Sequence, residues 1–281
     1  MPSGARMNES IAYIGLLADE EIELDSAALM LSALDHEEID VEPYLALLRE
    51  IGDAIEAERA DIDDDDLQTG EAQGALLAHI FSGEFGFEGD SLTYDAPLNG
   101  DMIRVLDRRR GLPVSLSILY VAAARRAGWQ AHALNTPGHV LISIGPDEAP
   151  AIIDPFRSGA LVQDGQVAGL LTVAASTGRQ DVSTLEPMSN RMTLVRLLLN
   201  QATRAEQASD TWRACSIYER MTVVAPEHDA GWWALARLQL EHGEVEAARG
   251  SLCAILEISR NPERRRYVAA ALSQLSGQSQ A

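Results

Sequence analysis

The stretch Pro113–Ala124 reads PVSLSILYVAAA and carries no charged side chain. Val114, Leu116, Ile118, Leu119, Val121, Ala122 and Ala124 cover a helix nearly all the way round, so this helix has no solvent face and belongs at the centre of a fold. Its ends are equally marked. Pro113 suits a first turn, where the missing N–H has no partner anyway. Arg125 and Arg126 favour the negative end of the helix dipole, and Gly128 stops the helix. "QAHAL" (Gln130–Leu134) and "HVLISIG" (His139–Gly145) then alternate as strands do, and "PAIIDPF" (Pro150–Phe156) makes a third. A central helix followed by a short antiparallel sheet predicts an α+β domain.

The flanks are helical. Residues 1–20 read as a flexible N-terminal tail, 21–185 as the α+β domain with a helical N-terminal segment, and 186–281 as an all-α domain. In the N-terminal segment, Ala27, Leu29, Leu31 and Leu34 form one apolar face. Val41, Tyr44, Leu45, Leu47, Leu48, Ile51 and Ile55 form another. Glu71–Phe87 reads as one helix stopping at glycines, with His79 at the edge of the core, and Met102–Arg110 as a short helix capped by Asn99 or Asp101. The C-terminal region reads as four helices, Leu194–Gln207, Trp212–Val224, Ala230–His242 and Val245–Ile258, then a last one over Glu263–Leu275. Leu198 matches Trp232, Ala202 matches Ala236, Ala214 matches Ala248 and Tyr218 matches Leu252, a period of 34 residues. With Pro226 and Pro262 closing the units, that period is the tetratricopeptide signature.

At 281 residues and 46% hydrophobic the chain is long enough for two domains with buried cores. Its net charge is −21, and residues 1–70 hold twenty Asp/Glu against three Arg, or −17 of it. An acidic surface of that size repels phosphate backbones and argues against nucleic acid as a partner. Asp61, Asp63 and Asp65 start like a calcium loop, but Asp66 stands where the loop needs glycine and Ala72 where it needs glutamate, so no metal site is expected. Cys215 and Cys253 lack C-x-x-C spacing and read as thiols of a reducing compartment. The apolar run Ile11–Ala18 is too short for a leader and no stretch reaches spanning length, so a cytoplasmic protein without membrane contact is expected.

Chemistry is suggested by three features in order. A buried helix N-terminus stabilises an anion such as a thiolate. A facing histidine holds the proton, and an acid on the next strand fixes the imidazole. His139 begins one strand, and Asp154, fifteen residues on, lies near the end of the next. A hairpin between them would let the two side chains meet.

The segments "RRRGLPVSLSILY", "RRAGW", "PGHVLISI" and "IIDPFRSG", followed by the repeats, resemble the SirB family of transglutaminase-like proteins. These bacterial proteins join a papain-like transglutaminase core to tetratricopeptide-type repeats. The resemblance runs from about Leu24 to Leu275 and is densest from Asn99 to Gly159. In active transglutaminase-like enzymes it implies Gly-x-Cys at the helix start, a glycine about fifteen residues on, then histidine, then Asp-Pro. Pro113 stands fifteen residues before Gly128, so Gly111-Leu112-Pro113 takes the Gly-x-Cys place. His139 matches the family histidine and Asp154-Pro155 the aspartate motif. The nucleophile position is therefore proline.

Ser115 and Ser117 are the candidate substitutes; Ser115 lies about 200° round the helix from Pro113 and reads first as a capping or packing residue, ahead of a nucleophile. Asn135, Pro137 and Gly138 shape the turn before His139, and the resemblance puts them beside the site. Arg110, in the cluster Arg108–Arg110, and Arg157 are candidate binding residues for an anion or acidic peptide. The arginine cluster reads first as neutralising the acidic N-terminal helices. Two functions follow. One is a non-catalytic module that binds a protein or peptide through the cleft and the repeats, whose concave faces suit peptides. The other is a hydrolase or acyl-transferase in which Ser115, or a water activated by His139, replaces cysteine. Neither needs a cofactor, and the oligomeric state is left open.

Overall fold

The computed structural model describes residues 11–36, 38–136, 138–163, 165–167, 169, 172 and 185–278. They form two compact units, one of residues 17–197 and one of residues 11–16 with 198–281. The expected tail to residue 20 includes helical chain. Residues 11–16 are helical with Ile11 and Ile14, one turn apart, both buried. Asp19–Glu21 form a 3-10 turn.

In the first unit the elements before the sheet are α1 (Leu24–Ala33), α2 (Glu42–Ala60), α3 (Gly70–Ala78), α4 (Met102–Arg108) and α5 (Pro113–Arg126). Two short parallel strands, β1 (Glu88–Gly89) and β2 (Arg110–Gly111), flank α4. In α5 every side chain from Pro113 to Ala124 is buried, as the all-round apolar pattern requires. Each of its larger apolar side chains contributes about 1.5–3 kcal/mol by leaving water. Helices α1 and α2 pack on α5, as do the first two strands of a four-stranded antiparallel sheet. The strands follow chain order: β3 (Ala131–Thr136), β4 (His139–Ile144), β5 (Ala151–Asp154) and β6 (Ala160–Leu161). The β3–β4 register pairs Ala131 with Ile144 and Thr136 with His139, so His139 opens β4 at the tight turn. Gly138 takes φ +72° there, a value that suits glycine.

The predicted single helix over Glu71–Phe87 is two elements. After Ala78 the backbone widens into a π-helical turn, His79–Glu84. Phe87 is buried with its ring edge-on to Phe81, centroids 5.7 Å apart, and its N–H donates to the Phe81 carbonyl. That docking reverses the chain before another α-turn can form. Asp101, not Asn99, caps α4, accepting from the N–H of Ile103 and Arg104.

The start of α3 lies against the β4–β5 turn. A Cβ on Gly70 would stand 2.0 Å from the Ile144 carbonyl oxygen and 2.5 Å from the Ala151 nitrogen. Both neighbours are backbone, so neither can rotate away. Gly70→Ala is expected to cost about 3 kcal/mol, the upper end of overpacking. Gly52→Ala, with nothing within 4 Å of its Cβ, should instead gain up to about 1 kcal/mol of helix propensity. Urea unfolding of the two variants checks the contrast.

The second unit is helical. Its elements are the end of α6 (Asn190–Gln207), then α7 (Thr211–Val224), α8 (Asp229–Glu241), α9 (Val245–Ile258) and α10 (Pro262–Gln278), each from α7 on packing against the next. Ala202, Ala214, Ala236 and Ala248 are all buried, as small residues at close helix crossings should be. Ala236, Leu252, Ile255 and Val268 form a core that Trp232 and Trp233 extend. Among the described residues no helix is long and apolar enough to cross a membrane.

Candidate functional site

The site is built at the start of α5. Leu112 is extended (φ −73°, ψ 162°), its N–H donates to the Asn99 carbonyl, and Pro113 opens the helix, itself buried. No side chain caps this end. The unsatisfied amides of a first turn carry the positive end of the helix dipole.

Ser115 is drawn away from chemistry. Its hydroxyl donates to the Asn99 carbonyl at 2.8 Å and the residue is 0% exposed. Asn99 is fixed in turn, its amide donating to Thr93 and its side-chain oxygen accepting from Arg108. A serine whose only proton is held by a backbone carbonyl packs the helix entrance and offers His139 nothing. The geometry therefore favours packing over the nucleophile role considered for Ser115.

His139 and Asp154 meet. The β4–β5 hairpin brings Nε2 to 2.9 Å from Asp154 Oδ1. An ionised carboxylate only accepts, so Nε2 is the donor in this contact. Asp154 is held from behind: Oδ1 also accepts from the Phe156 N–H at 3.0 Å, and the carboxylate is 7% exposed. The imidazole is less covered, at 23%. The pair thus presents an oriented imidazole, with no thiol among its hydrogen-bond partners in the described residues.

Of the other candidates, Arg157 lies 3.6 Å from Asp154 Oδ2 and is largely exposed, so its guanidinium remains open to an anion at the rim. Asn135 is exposed on β3, opposite Val140. Gly138 is exposed in the turn, and Pro137 lies outside the described residues. Two of the three clustered arginines pair locally, while the charge of Arg109 is felt by Glu50 on the acidic helix α2. Arg108 reaches buried Asp90 at 2.6 Å, and Arg110 reaches Glu88 at 2.5 Å. Arg109 is left-handed (φ 58°), its guanidinium 4.9 Å from the Phe87 ring centroid. The β1–β2 pairing explains this, because it sets Glu88 opposite Arg110. Asp90 ionises well below the usual carboxylate range, held there by the Thr93 hydroxyl and backbone N–H and by Arg108, against its burial.

A family model described as "Transglutaminase-like superfamily" matches residues 42–199, more than half of the chain. The chain belongs to the transglutaminase-like superfamily. The matched span holds α5, the sheet, His139 and Asp154. The UPF0162 protein of Xylella fastidiosa (strain Temecula1) is 27% identical over 234 residues, 80% of each chain. The UPF0162 protein of Pseudomonas aeruginosa is 26% identical over 256 residues, 91% of this chain and 92% of its own. A solved structure of menin superposes with a TM-score of 0.41 at 15% identity, covering 88% of this chain and 68% of its own.

Sequence reasoning missed three side chains around this transglutaminase-like dyad. The Phe156 ring stands edge-on to His139, centroids 5.9 Å apart, and Tyr94 stands edge-on to Phe156 at 5.7 Å. Tyr94 is the only aromatic residue in the turn-rich loop Glu88–Asp101, which was the available signal. Tyr120 stacks on Phe81, its ring centroid 4.2 Å away. Its hydroxyl is buried without a hydrogen-bond partner among the described residues. Burial, and then the charge of Asp154, push its pKa up. Buried in an apolar helix, Tyr120 reads in the sequence as core alone.

Proposed function

We propose that this transglutaminase-like protein is a non-catalytic module of the SirB type, binding a protein or peptide through the cleft at His139 and Asp154 and through tetratricopeptide-like C-terminal helices. One observation supports the reading: among the described residues the dyad has no thiol partner, and neither Pro113 nor Ser115 offers it a nucleophile. Proline opens the helix where the resemblance puts cysteine, and Ser115, the next hydroxyl along, donates to Asn99. A base without a nucleophile still offers polar anchors to a ligand, with His139, Asn135, Gly138 and Arg157 at its rim. The 34-residue spacing between the starts of α7 and α9, and the buried alanines at equivalent positions, support the repeat reading.

The hydrogen bond by which Asp154 orients the His139 ring favours one second reading, hydrolysis by an activated water. Two measurements separate the two. Fluorophosphonate labelling and ester hydrolysis should be identical in wild type, Ser115→Ala and His139→Ala. A partner isolated on the full chain, purified and titrated back, should bind His139→Ala at least about tenfold more weakly, or about 1.4 kcal/mol. Turnover that disappears in His139→Ala establishes the hydrolase instead. Partner binding unchanged by that substitution removes the cleft from the binding surface.

A further inference from the structure

The geometry points to a divalent transition-metal site of the zinc class, held by Glu58, His79 and Glu84. One ligand atom from each side chain lies within 4.8 Å of the other two. Two separate segments supply them: Glu58 from the last turn of α2, His79 and Glu84 from the two ends of the π-helical turn.

The backbone explains the convergence. On an α-helix, residues five apart point about 140° away from each other. The wider π-turn, bonded i to i+5, brings them together. His79 Nε2 accordingly stands 3.5 Å from Glu84 Oε1. Gly83 leaves room for the ring, since a Cβ there would press to 3.3 Å on Nδ1. Arg59, beside Glu58, is engaged elsewhere: it donates to Glu56 and to the Ala127 carbonyl and lies over the Trp129 ring. Among the described residues no arginine pairs with Glu58 or Glu84. Two carboxylates therefore converge on one imidazole with no fixed cation between them.

The donor set selects the ion. Magnesium and calcium favour all-oxygen shells, whereas one imidazole nitrogen with two carboxylates suits zinc and its neighbours. With bonds of about 2.1 Å, a tetrahedral centre holds its ligand atoms about 3.4 Å apart. The His79–Glu84 separation already has that length. Glu58, half-buried and with a flexible side chain, closes the third corner, and water completes the coordination.

The test is calorimetric titration of zinc chloride into the chelator-treated full chain at neutral pH. Cobalt(II) absorption serves as a second readout of tetrahedral geometry. The expected result is one saturable zinc per chain, not displaced by excess magnesium. Affinity should fall at least about tenfold in each of Glu58→Gln, His79→Gln and Glu84→Gln, and stay unchanged in the control His132→Gln. Two of the three positions are exposed and the third half-buried, so the variants should fold, which circular dichroism checks. No saturable zinc in the wild type, or zinc uptake unchanged in Glu58→Gln or Glu84→Gln, overturns the site and leaves an ordinary surface ion pair.

Discussion

Arg126→Met is expected to cost about 3–5 kcal/mol of folding stability, the usual result of removing one partner from a buried ion pair. Arg126, at the end of α5, meets Asp25 on α1 with two parallel hydrogen bonds of 2.6 Å. The two partners are unequal. Asp25 is 1% exposed, while the Arg126 side chain is 39% exposed. Removing the arginine strands a carboxylate that water cannot reach, with only the Ser26 N–H left as a donor among the described residues. Removing the carboxylate leaves a guanidinium that solvent partly hydrates. Asp25→Asn should therefore cost less, about 1–3 kcal/mol. Replacing both with apolar side chains, Asp25→Leu with Arg126→Met, should recover much of the loss. Urea unfolding followed by circular dichroism reads all three. An Arg126→Met cost below about 1 kcal/mol would show that the pair does not hold α1 to the central helix.

That pair also marks how far the sequence is legible. Helix α5 could be read outright, because an all-round apolar segment admits one environment. The β3–β4–β5 hairpins followed from alternation and turn residues, and they place His139 beside Asp154. These are local signals. The partners of the charges are not local: Asp25 and Arg126 are 101 residues apart, and nothing in either segment names the other. Arg108 and Arg110 looked like counterions for the acidic helices, yet the short β1–β2 pairing gives them Asp90 and Glu88. The π-turn was hidden for a similar reason. Its residues read as a continuing helix, and what ends the helix is Phe87 docking on Phe81. Tyr94 and Phe156 come from loops whose positions tertiary packing decides. The site's polar pair was thus readable, and the aromatic wall around it was not.

Pro113→Cys is expected to give a cysteine whose thiolate forms well below the ordinary pKa of about 8.5, within the range of about 3.5–7.5 seen at helix N-termini beside a histidine. The substitution is mild for the fold, because an N–H at the first helical position has no intrahelical partner to lose or gain. Two forces act on the new thiol. Burial at Pro113 pushes its pKa up, as burial does most strongly for Cys215, whose thiol is pushed to about 11. The uncapped start of the 14-residue helix α5 pushes it down, and a protonated His139 within reach of the thiol would add to that. If the cleft keeps the electrostatics of a thiol enzyme, the lowering forces win. The readout is the ultraviolet absorbance of the thiolate against pH, in a Cys253→Ser background so that buried Cys215 titrates far above the window. Adding His139→Ala should move the midpoint back up, since the imidazolium that steadies the thiolate is gone. Asp154→Asn should do the same more weakly, by loosening the ring that Asp154 orients. A midpoint for the introduced thiol at or above about 8.5, indifferent to His139, would mean that the helix entrance and the dyad are structural neighbours only. A depressed midpoint would mean that one residue, proline in place of cysteine, separates this cleft from a working nucleophile.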